Sequence, residues 1–204
     1  LNIESKFVDG LRVSNKDVVK IAEEVFIEFN KEILNEIKNY SVNAKSITSK
    51  ENNIINVKAI SEELGFVGKP CKIDTDILKK IFKEGELPII APLGLDSENQ
   101  VYNVNADDIA TFVASSLNAR RLIMISDVAG VLDKDNKLIS EINSAKAAEM
   151  IASGEITQGM VVKINNAINV ANKVKGTVII DGRVAHSILY ELLSDKGSGT
   201  LIRA

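Results

Sequence analysis

Arg121-Leu122-Ile123-Met124-Ile125-Ser126-Asp127 carries an unbroken apolar run, Leu122 to Ile125, closed by a polar pair. Apolar residues in succession, without alternation, are the pattern of a strand buried on both faces in a parallel sheet. The run therefore predicts an α/β fold. In open sheets of that class ligands bind beyond the carboxyl ends of the strands. That rule singles out Asp127-Val128-Ala129-Gly130-Val131-Leu132-Asp133 as a ligand-binding loop. Turn chemistry accounts well for Asp133 and Asp135 in a hairpin through Asp133-Lys134-Asp135-Asn136-Lys137, and less well for Asp127. Asp127 is the functional candidate of the three.

Downstream, two helices are expected over Ser144 to Ser153 and Met160 to Lys173, joined by Gly154-Glu155-Ile156-Thr157-Gln158-Gly159. A helix amino terminus offers unbonded N–H groups and a positive dipole end, so a loop ending in Gly159 can seat a phosphate. Lys163 is expected in the first turn, where the dipole disfavours a cation unless an anion compensates. A phosphate contact and an ordinary surface position both fit this lysine. Gly176 to Gly182 closes another buried strand and His186 to Leu193 forms a helix. Gly197-Ser198-Gly199-Thr200-Leu201-Ile202 is a glycine-rich turn into a last strand. GxG alone carries no assignment.

Upstream, Tyr102-Asn103-Val104-Asn105-Ala106-Asp107-Asp108 packs amides and carboxylates between a predicted buried strand, Leu87 to Leu93, and a helix whose apolar face runs through Ile109, Phe112, Val113 and Leu117. Asp107 is expected near the helix cap. Capping explains one of Asn103, Asn105 and Asp107 but not all three; the other reading is a polar substrate site. Nearer the start, Phe7-Val8-Asp9-Gly10-Leu11-Arg12-Val13 reads as a short apolar strand turning through Asp9-Gly10. Arg12 within it fits an edge-strand surface charge and a carboxylate clamp equally. Ser14 is expected to open a helix, with Asp17 in a capping-box position. The face Val18, Ile21, Ala22, Val25, Phe26, Phe29, Ile33, Leu34 and Ile37 is expected to be core. Ser41 to Ser61 alternates about a turn at Asn52-Asn53, as in a solvent-facing hairpin. Gly65 to Ile73 predicts a strand with Pro70 marking an edge. A helix through Ile77, Leu78, Ile81 and Phe82 should end at Gly85.

Composition excludes several functions. The 204 residues suffice for one domain or two small ones. A net charge of −3, with lysines interleaved among acids, gives no electrostatic footprint for nucleic acid. No apolar run reaches membrane-span length and Leu1 to Lys6 has no signal-peptide profile, so the cytoplasm is the expected location. Cys71 stands alone and reads as a half-buried strand residue. His186 is the one histidine, which excludes a multi-histidine zinc site or a triad on an earlier histidine. No GxxxxGK[ST] loop and no GxGxxG after a strand occurs.

Lys6 to Val13, Tyr102 to Asp107, Ser126 to Asp133 and Gly159-Met160-Val161-Val162-Lys163 follow in order and spacing along the whole chain. In them the sequence resembles the N-acetylglutamate kinases of the amino-acid kinase family. The NxNAD and GMxxK pair separates these from related carbamate, uridylate and aspartate kinases. The resemblance implies a three-layer αβα sandwich around a mostly parallel open sheet. It implies an acylamino-acid lobe over residues 1–118 and a nucleotide lobe over 119–204. It further implies transfer of the γ-phosphoryl of ATP, with Mg2+, to the side-chain carboxylate of N-acetyl-L-glutamate, the second step of arginine synthesis.

By the same resemblance Arg12 clamps the substrate α-carboxylate, and Asn103 and Asn105 contact its amide and carboxylate region. Asp107 organises catalytic lysines and Lys163 stabilises charge on the transferring phosphoryl. Asp127, Val128, Ala129, Gly130, Val131 and Leu132, with Ile156, Thr157 and Met160, form the nucleotide seat. His186, Glu191, Gly197 and Gly199 mark the region that holds arginine in inhibited members, which build rings of dimers, and the resemblance implies a homo-oligomer here, a dimer or a ring of dimers. Family members begin earlier, with a strand and Gly-Gly loop, a second lysine and a further glycine loop. These are absent from the 204 residues, and the chain is expected to be a piece of a longer enzyme. A noncatalytic ATP- or arginine-binding fragment, or a kinase acting on an N-acyl-aminoadipate, are the alternatives.

Overall fold

The computed structural model describes residues 6–8, 11–156 and 158–203. The turn expected at Asp9-Gly10 and the site candidate Thr157 lie outside them. The chain forms two compact units, Leu1–Ile109 and Ala110–Ala204. Among the described residues no helix is long and apolar enough to cross a membrane.

In the first unit, β1 (Phe7–Val8) and β2 (Leu11–Arg12) pair antiparallel. Helix α1 spans Lys16–Lys38 and is capped by Asn15, whose side chain accepts from the Val18 N–H. The expected cap, Ser14, is instead wholly buried, and its hydroxyl donates to the Arg12 carbonyl. The cap thus passes to the next polar side chain. The long apolar face of α1 is also less buried than expected: Val25 and Phe29 are each 54% exposed. What anchors the helix is Asn30, buried, which donates to Ser46 Oγ and the Ile89 carbonyl.

Those two acceptors belong to β3 (Ala44–Ile47) and β6 (Leu87–Ile90), a parallel pair with Ala44 opposite Leu87. The following strand, β4 (Ile55–Ala59), joins β5 (Val67–Ile73), β7 (Leu93–Leu95) and β8 (Val101–Val104) in a closed barrel of order β4-β5-β8-β7. The solvent-facing hairpin expected over Ser41 to Ser61 therefore does not form. Asn52 does turn, with φ 55°, but Ile47, Ile54, Ile55 and Val57 are all buried, so each strand seeks its own partner inside. Pro70 lies in β5, where the ladder to β4 shifts register between Asn56 and Val57. The β8 side pairs only at Val67 and Gly68, so the missing N–H of Pro70 breaks no bond there. The predicted strand Leu87 to Leu93 is two strands. Pro92 interrupts it, and the Leu93 N–H closes a tight turn on the Ala91 carbonyl at 2.8 Å. Helix α2 (Thr75–Lys83) is capped by Asp74 and stops before Gly85, which takes φ 73° as a helix end favours. Cys71 is exposed rather than half-buried. Helix α3 (Ala106–Ser116) contains the boundary between the units.

In the second unit, β9 (Leu122–Ser126), β10 (Glu141–Asn143), β11 (Thr177–Asp181) and β12 (Gly199–Arg203) form a sheet of order β10-β12-β11-β9. The β9–β11 and β10–β12 pairs are parallel and β11–β12 is antiparallel, an α/β arrangement with α4 (Ser144–Ala152), α5 (Gln158–Val170) and α6 (Ser187–Leu193). The strand buried along its whole length is β11. At the end of this strand order, β9 buries Leu122 and Met124 but leaves Ile125 54% exposed, so its apolar run is not covered on both faces. The core gathers Met124, Val131, Ile164, Ala167, Ile179 and Ile202. Fully burying a side chain the size of isoleucine contributes about 1.5–3 kcal/mol.

Candidate functional site

The loop after β9 is held first from β11. Gly182 N–H donates to the Ser126 carbonyl at 2.8 Å, continuing the parallel pairing past the strand end. A Cβ on Gly182 would stand 2.5 Å from Ile125 Cγ2, so a larger residue would have to push that side chain aside. Asp181 before it accepts from Arg183 Nε, Nη2 and backbone N–H at 2.8–2.9 Å. The Arg183 side chain, then its backbone N–H, hold the Asp181 carboxyl at about 2. Asp181 raises Arg183 in turn, with Asp127 a smaller contributor.

Beyond Ser126 the chain enters a cavity of about 450 Å3, within the range of small-molecule sites. Asp127, Val128, Gly130, Val131 and Leu132 line one side, and Ile156, Gly159, Met160 and Lys163 another. The structure thus gathers most of the residues expected in the nucleotide seat. Ala129 is not in the lining. Asp133 proves to be turn chemistry: its carboxylate accepts from the Asp135 and Lys137 N–H groups, and Leu132 bridges to Leu138. A Cβ on Gly159 would meet no atom within 4 Å, so packing does not require glycine there, while backbone access for a phosphate would. Lys163 lies in the second turn of α5, not the first, because the helix starts at Gln158. The dipole argument is correspondingly weaker, and it is the shared cavity wall that marks this lysine.

Sequence reasoning left Ser126 and Glu155 out of the site, and both line the cavity. Ser126 was visible as the strand end. Glu155 carried no distinguishing pattern. Its carboxylate accepts from Ser153 Oγ at 3.0 Å and pairs with Lys134 at 3.4 Å, and these two, Ser153 foremost, hold it below the usual range.

In the first unit Ser14 links the candidates. Its hydroxyl donates to the Arg12 carbonyl at 3.0 Å and accepts from Asn103 Nδ2 at 3.4 Å. Its backbone pairs with Gly65, whose φ is 67° and whose Cβ, were there one, would lie 2.6 Å from the Ser14 carbonyl. Ser14 and Gly65 thus make contacts that the sequence reading missed, since a serine beside a strand gives no sign of a partner at position 103. Arg12 is exposed, with its guanidinium 5.0 Å from the Phe7 ring centre. Asn105, rather than Asp107, caps α3: its Oδ1 accepts from the Asp107 and Asp108 N–H groups. Asp107 lies in the first turn. Capping accounts for Asn105, and the bond to Ser14 engages Asn103.

Near the carboxyl end, Glu191, Gly197 and Gly199 line a cavity of about 470 Å3 together with Glu141 and Asp195. Glu191 is buried, accepting from Arg121 Nη1 at 2.9 Å and from the Ser198 N–H at 3.1 Å. Gly197 takes φ 68°, and a Cβ there would lie 2.6 Å from Glu191 Oε2. His186 lines a different, mainly apolar hollow with Leu189, Tyr190 and Leu193, so the four residues expected together are divided.

Comparisons with known proteins identify the family and the fold. Residues 1–181 match the amino acid kinase family. The chain is 56% identical over 204 residues to the acetylglutamate kinase of Pelagibacter ubique, spanning all of this chain and 71% of that protein. It is 38% identical over 206 residues to the acetylglutamate kinase of Campylobacter fetus, spanning 74% of that protein. Among solved structures, smu.665 from Streptococcus mutans matches 99% of this chain and 78% of its own, with a TM-score of 0.85 and 27% identity. The N-acetylglutamate synthase of Neisseria gonorrhoeae shares the fold, with a TM-score of 0.90 over 98% of this chain and 47% of its own, at 21% identity. The chain belongs to the amino acid kinase family, among its acetylglutamate kinases.

Proposed function

We propose that this protein transfers the γ-phosphoryl group of ATP to the side-chain carboxylate of N-acetyl-L-glutamate, giving the acyl phosphate and ADP, the second step of arginine biosynthesis. The observation that carries the reading is the cavity in which the Asp127 to Leu132 loop faces Gly159 and Lys163. A carboxylate oxygen attacks the γ-phosphorus and the bond to the β,γ-bridging oxygen breaks. The nucleophile is already anionic at neutral pH, so no general base is needed. What matters is positioning and neutralisation of the charge that gathers on the phosphoryl oxygens. Lys163 is the cation assigned to that task, and the α5 amino terminus at Gly159 supplies N–H groups for a phosphate.

Asp127, Val128, Ala129, Gly130, Val131 and Leu132, with Ile156, Thr157 and Met160, are the assigned nucleotide residues. Arg12 takes the substrate α-carboxylate, Asn103 and Asn105 its amide and carboxylate region, and Asp107 acts as a catalytic organiser. For Asn105 the role falls to atoms other than the oxygen engaged in capping. Residues 1–118 make the acylamino-acid lobe and 119–204 the nucleotide lobe. Mg2+ accompanies the ATP, bound mostly through phosphate oxygens and water, and adds to charge neutralisation. A cytoplasmic homo-oligomer completes the proposal, supported by the exposed apolar Val25 and Phe29 of α1.

Hydroxylamine trapping of acyl phosphate from N-acetyl-L-glutamate and Mg-ATP tests the reading. Hydroxamate should form and be lost in Asp107→Asn. Nucleotide binding with no hydroxamate would overturn it in favour of a noncatalytic binding protein, and preference for an N-acyl-aminoadipate would reassign the substrate. A second reading, arginine as an effector, draws on the second cavity, lined by Glu191, Gly197 and Gly199, where Glu191 and Glu141 pair with the guanidinium groups of Arg121 and Arg203. It predicts that arginine raises the thermal midpoint, and an unchanged midpoint ends it.

A further inference from the structure

We propose that Thr200 is a positioning residue for nucleotide binding: its buried hydroxyl holds the base of the loop that lines the nucleotide cavity. The inference rests on the nucleotide reading of that cavity. Thr200 is wholly buried in β12 and is not among the cavity-lining residues. Its Oγ1 accepts from the Val131 N–H at 2.8 Å and donates to the Ile139 carbonyl at 2.6 Å. Val131 and Ile139 are the two limbs of the hairpin after the loop, and the Ile139 N–H closes on the Val131 carbonyl at 2.9 Å. One hydroxyl therefore fastens both limbs to the sheet, and a buried bond of this kind is costly to leave unmade.

Two glycines make room for the contact. Gly130 takes φ 138°, and a Cβ there would lie 2.5 Å from Thr200 Oγ1 and 2.9 Å from Leu138 Cδ1. On the other side, a Cβ on Gly199 would collide with the Ile179 carbonyl, so β12 lies against β11 at a distance only glycine permits. Close strand pairing sets the reach of Thr200, and Thr200 sets the path of Gly130 and Val131 along the cavity. The glycine-rich turn before β12 thereby acquires a function at a site whose lining it does not enter.

Calorimetric titration with ATP tests this on the wild-type chain, Thr200→Val and Thr200→Ser. Valine keeps the shape and removes both bonds, while serine keeps both bonds and removes a methyl. Thr200→Val should bind ATP about tenfold more weakly, and Thr200→Ser within about twofold of wild type. A purely structural role would lower the thermal midpoint of Thr200→Val while leaving its ATP affinity unchanged, and that result overturns the proposal. Equal weakening in both variants would overturn it too, by assigning the effect to the methyl group. A wild-type chain that does not bind ATP refutes the nucleotide reading itself, and the proposal with it. Should Thr200→Val not fold, hydrogen exchange of the wild type with and without ATP decides. ATP should slow exchange of the Val131 amide, and exchange there that ATP leaves unchanged would overturn the proposal.

Discussion

The polar turn after β8 and the loop after β9 both close a strand with polar residues, and the bonds that hold them differ in reach. At the first the cap is local: Asn105 accepts from the Asp107 and Asp108 N–H groups, two and three residues on. The second is held from afar. Thr200 reaches Val131 across 69 residues of sequence, and Gly182 reaches Ser126 across the β9–β11 pairing. A turn stabilised within itself keeps its shape when distant packing changes. A loop pinned by two other strands inherits every perturbation of the sheet that carries it.

The largest effect expected is at the cavity that the remotely held loop lines. Lys163→Ala should lower turnover by about 100-fold or more, the scale of losing one charge-stabilising group, while ATP affinity changes far less. Steady-state hydroxamate assays beside ATP titration would show it, and equal losses in both would mean that Lys163 serves binding alone. Next comes Ile179→Ala in β11. Ile179 is completely buried, so about 2–5 kcal/mol of stability should be lost in denaturant unfolding, with ATP affinity falling in the surviving folded protein. Intact affinity would break the contrast, because the loop would then be independent of its sheet.

Asn105→Ala should cost about 1 kcal/mol, and Asn105→Asp, which keeps the capping oxygen, much less. A larger loss shared by both would show that the first turn also depends on remote partners. The smallest effect is on pH dependence. Asp181 has an ordinary value of 3.8 and is held at about 2 by Arg183, so the folded carboxyl is the more acidic. Its stabilising contribution is complete above 3.8 and is lost as pH falls from there towards about 2. Asp181→Asn should therefore flatten the acid limb of the thermal midpoint in that window. An unchanged limb would assign the acid sensitivity to other carboxylates.

Local chemistry explains which parts were legible. The stop of α2 at Gly85, the Asn52 turn and the Asp133 turn rest on contacts within a few residues, and each was readable. The Ser41 to Ser61 hairpin was misread because alternation describes a strand but does not name its partner. β3 instead pairs with β6 and β4 with β5. For the same reason β9 was taken as buried on both faces, when burial belonged to β11. At the site, Asp127, Gly130 and Met160 were visible through loop position and motif. Ser14, Gly65 and Glu155 were not, since their significance lies in distant partners or in a cavity wall.

The amino-acid sequence alone determined the α/β class, the order of its motifs, the place of the loop after Ile125 and the family, because strand and helix periodicity and short motifs are local properties. Only the tertiary structure decided which strands pair, that Asn15 and Asn105 are the caps, and that Thr200 reaches the loop after β9. Those outcomes depend on burial and on hydrogen bonds across many residues. The energy that selects among them appears only when the chain has closed on itself.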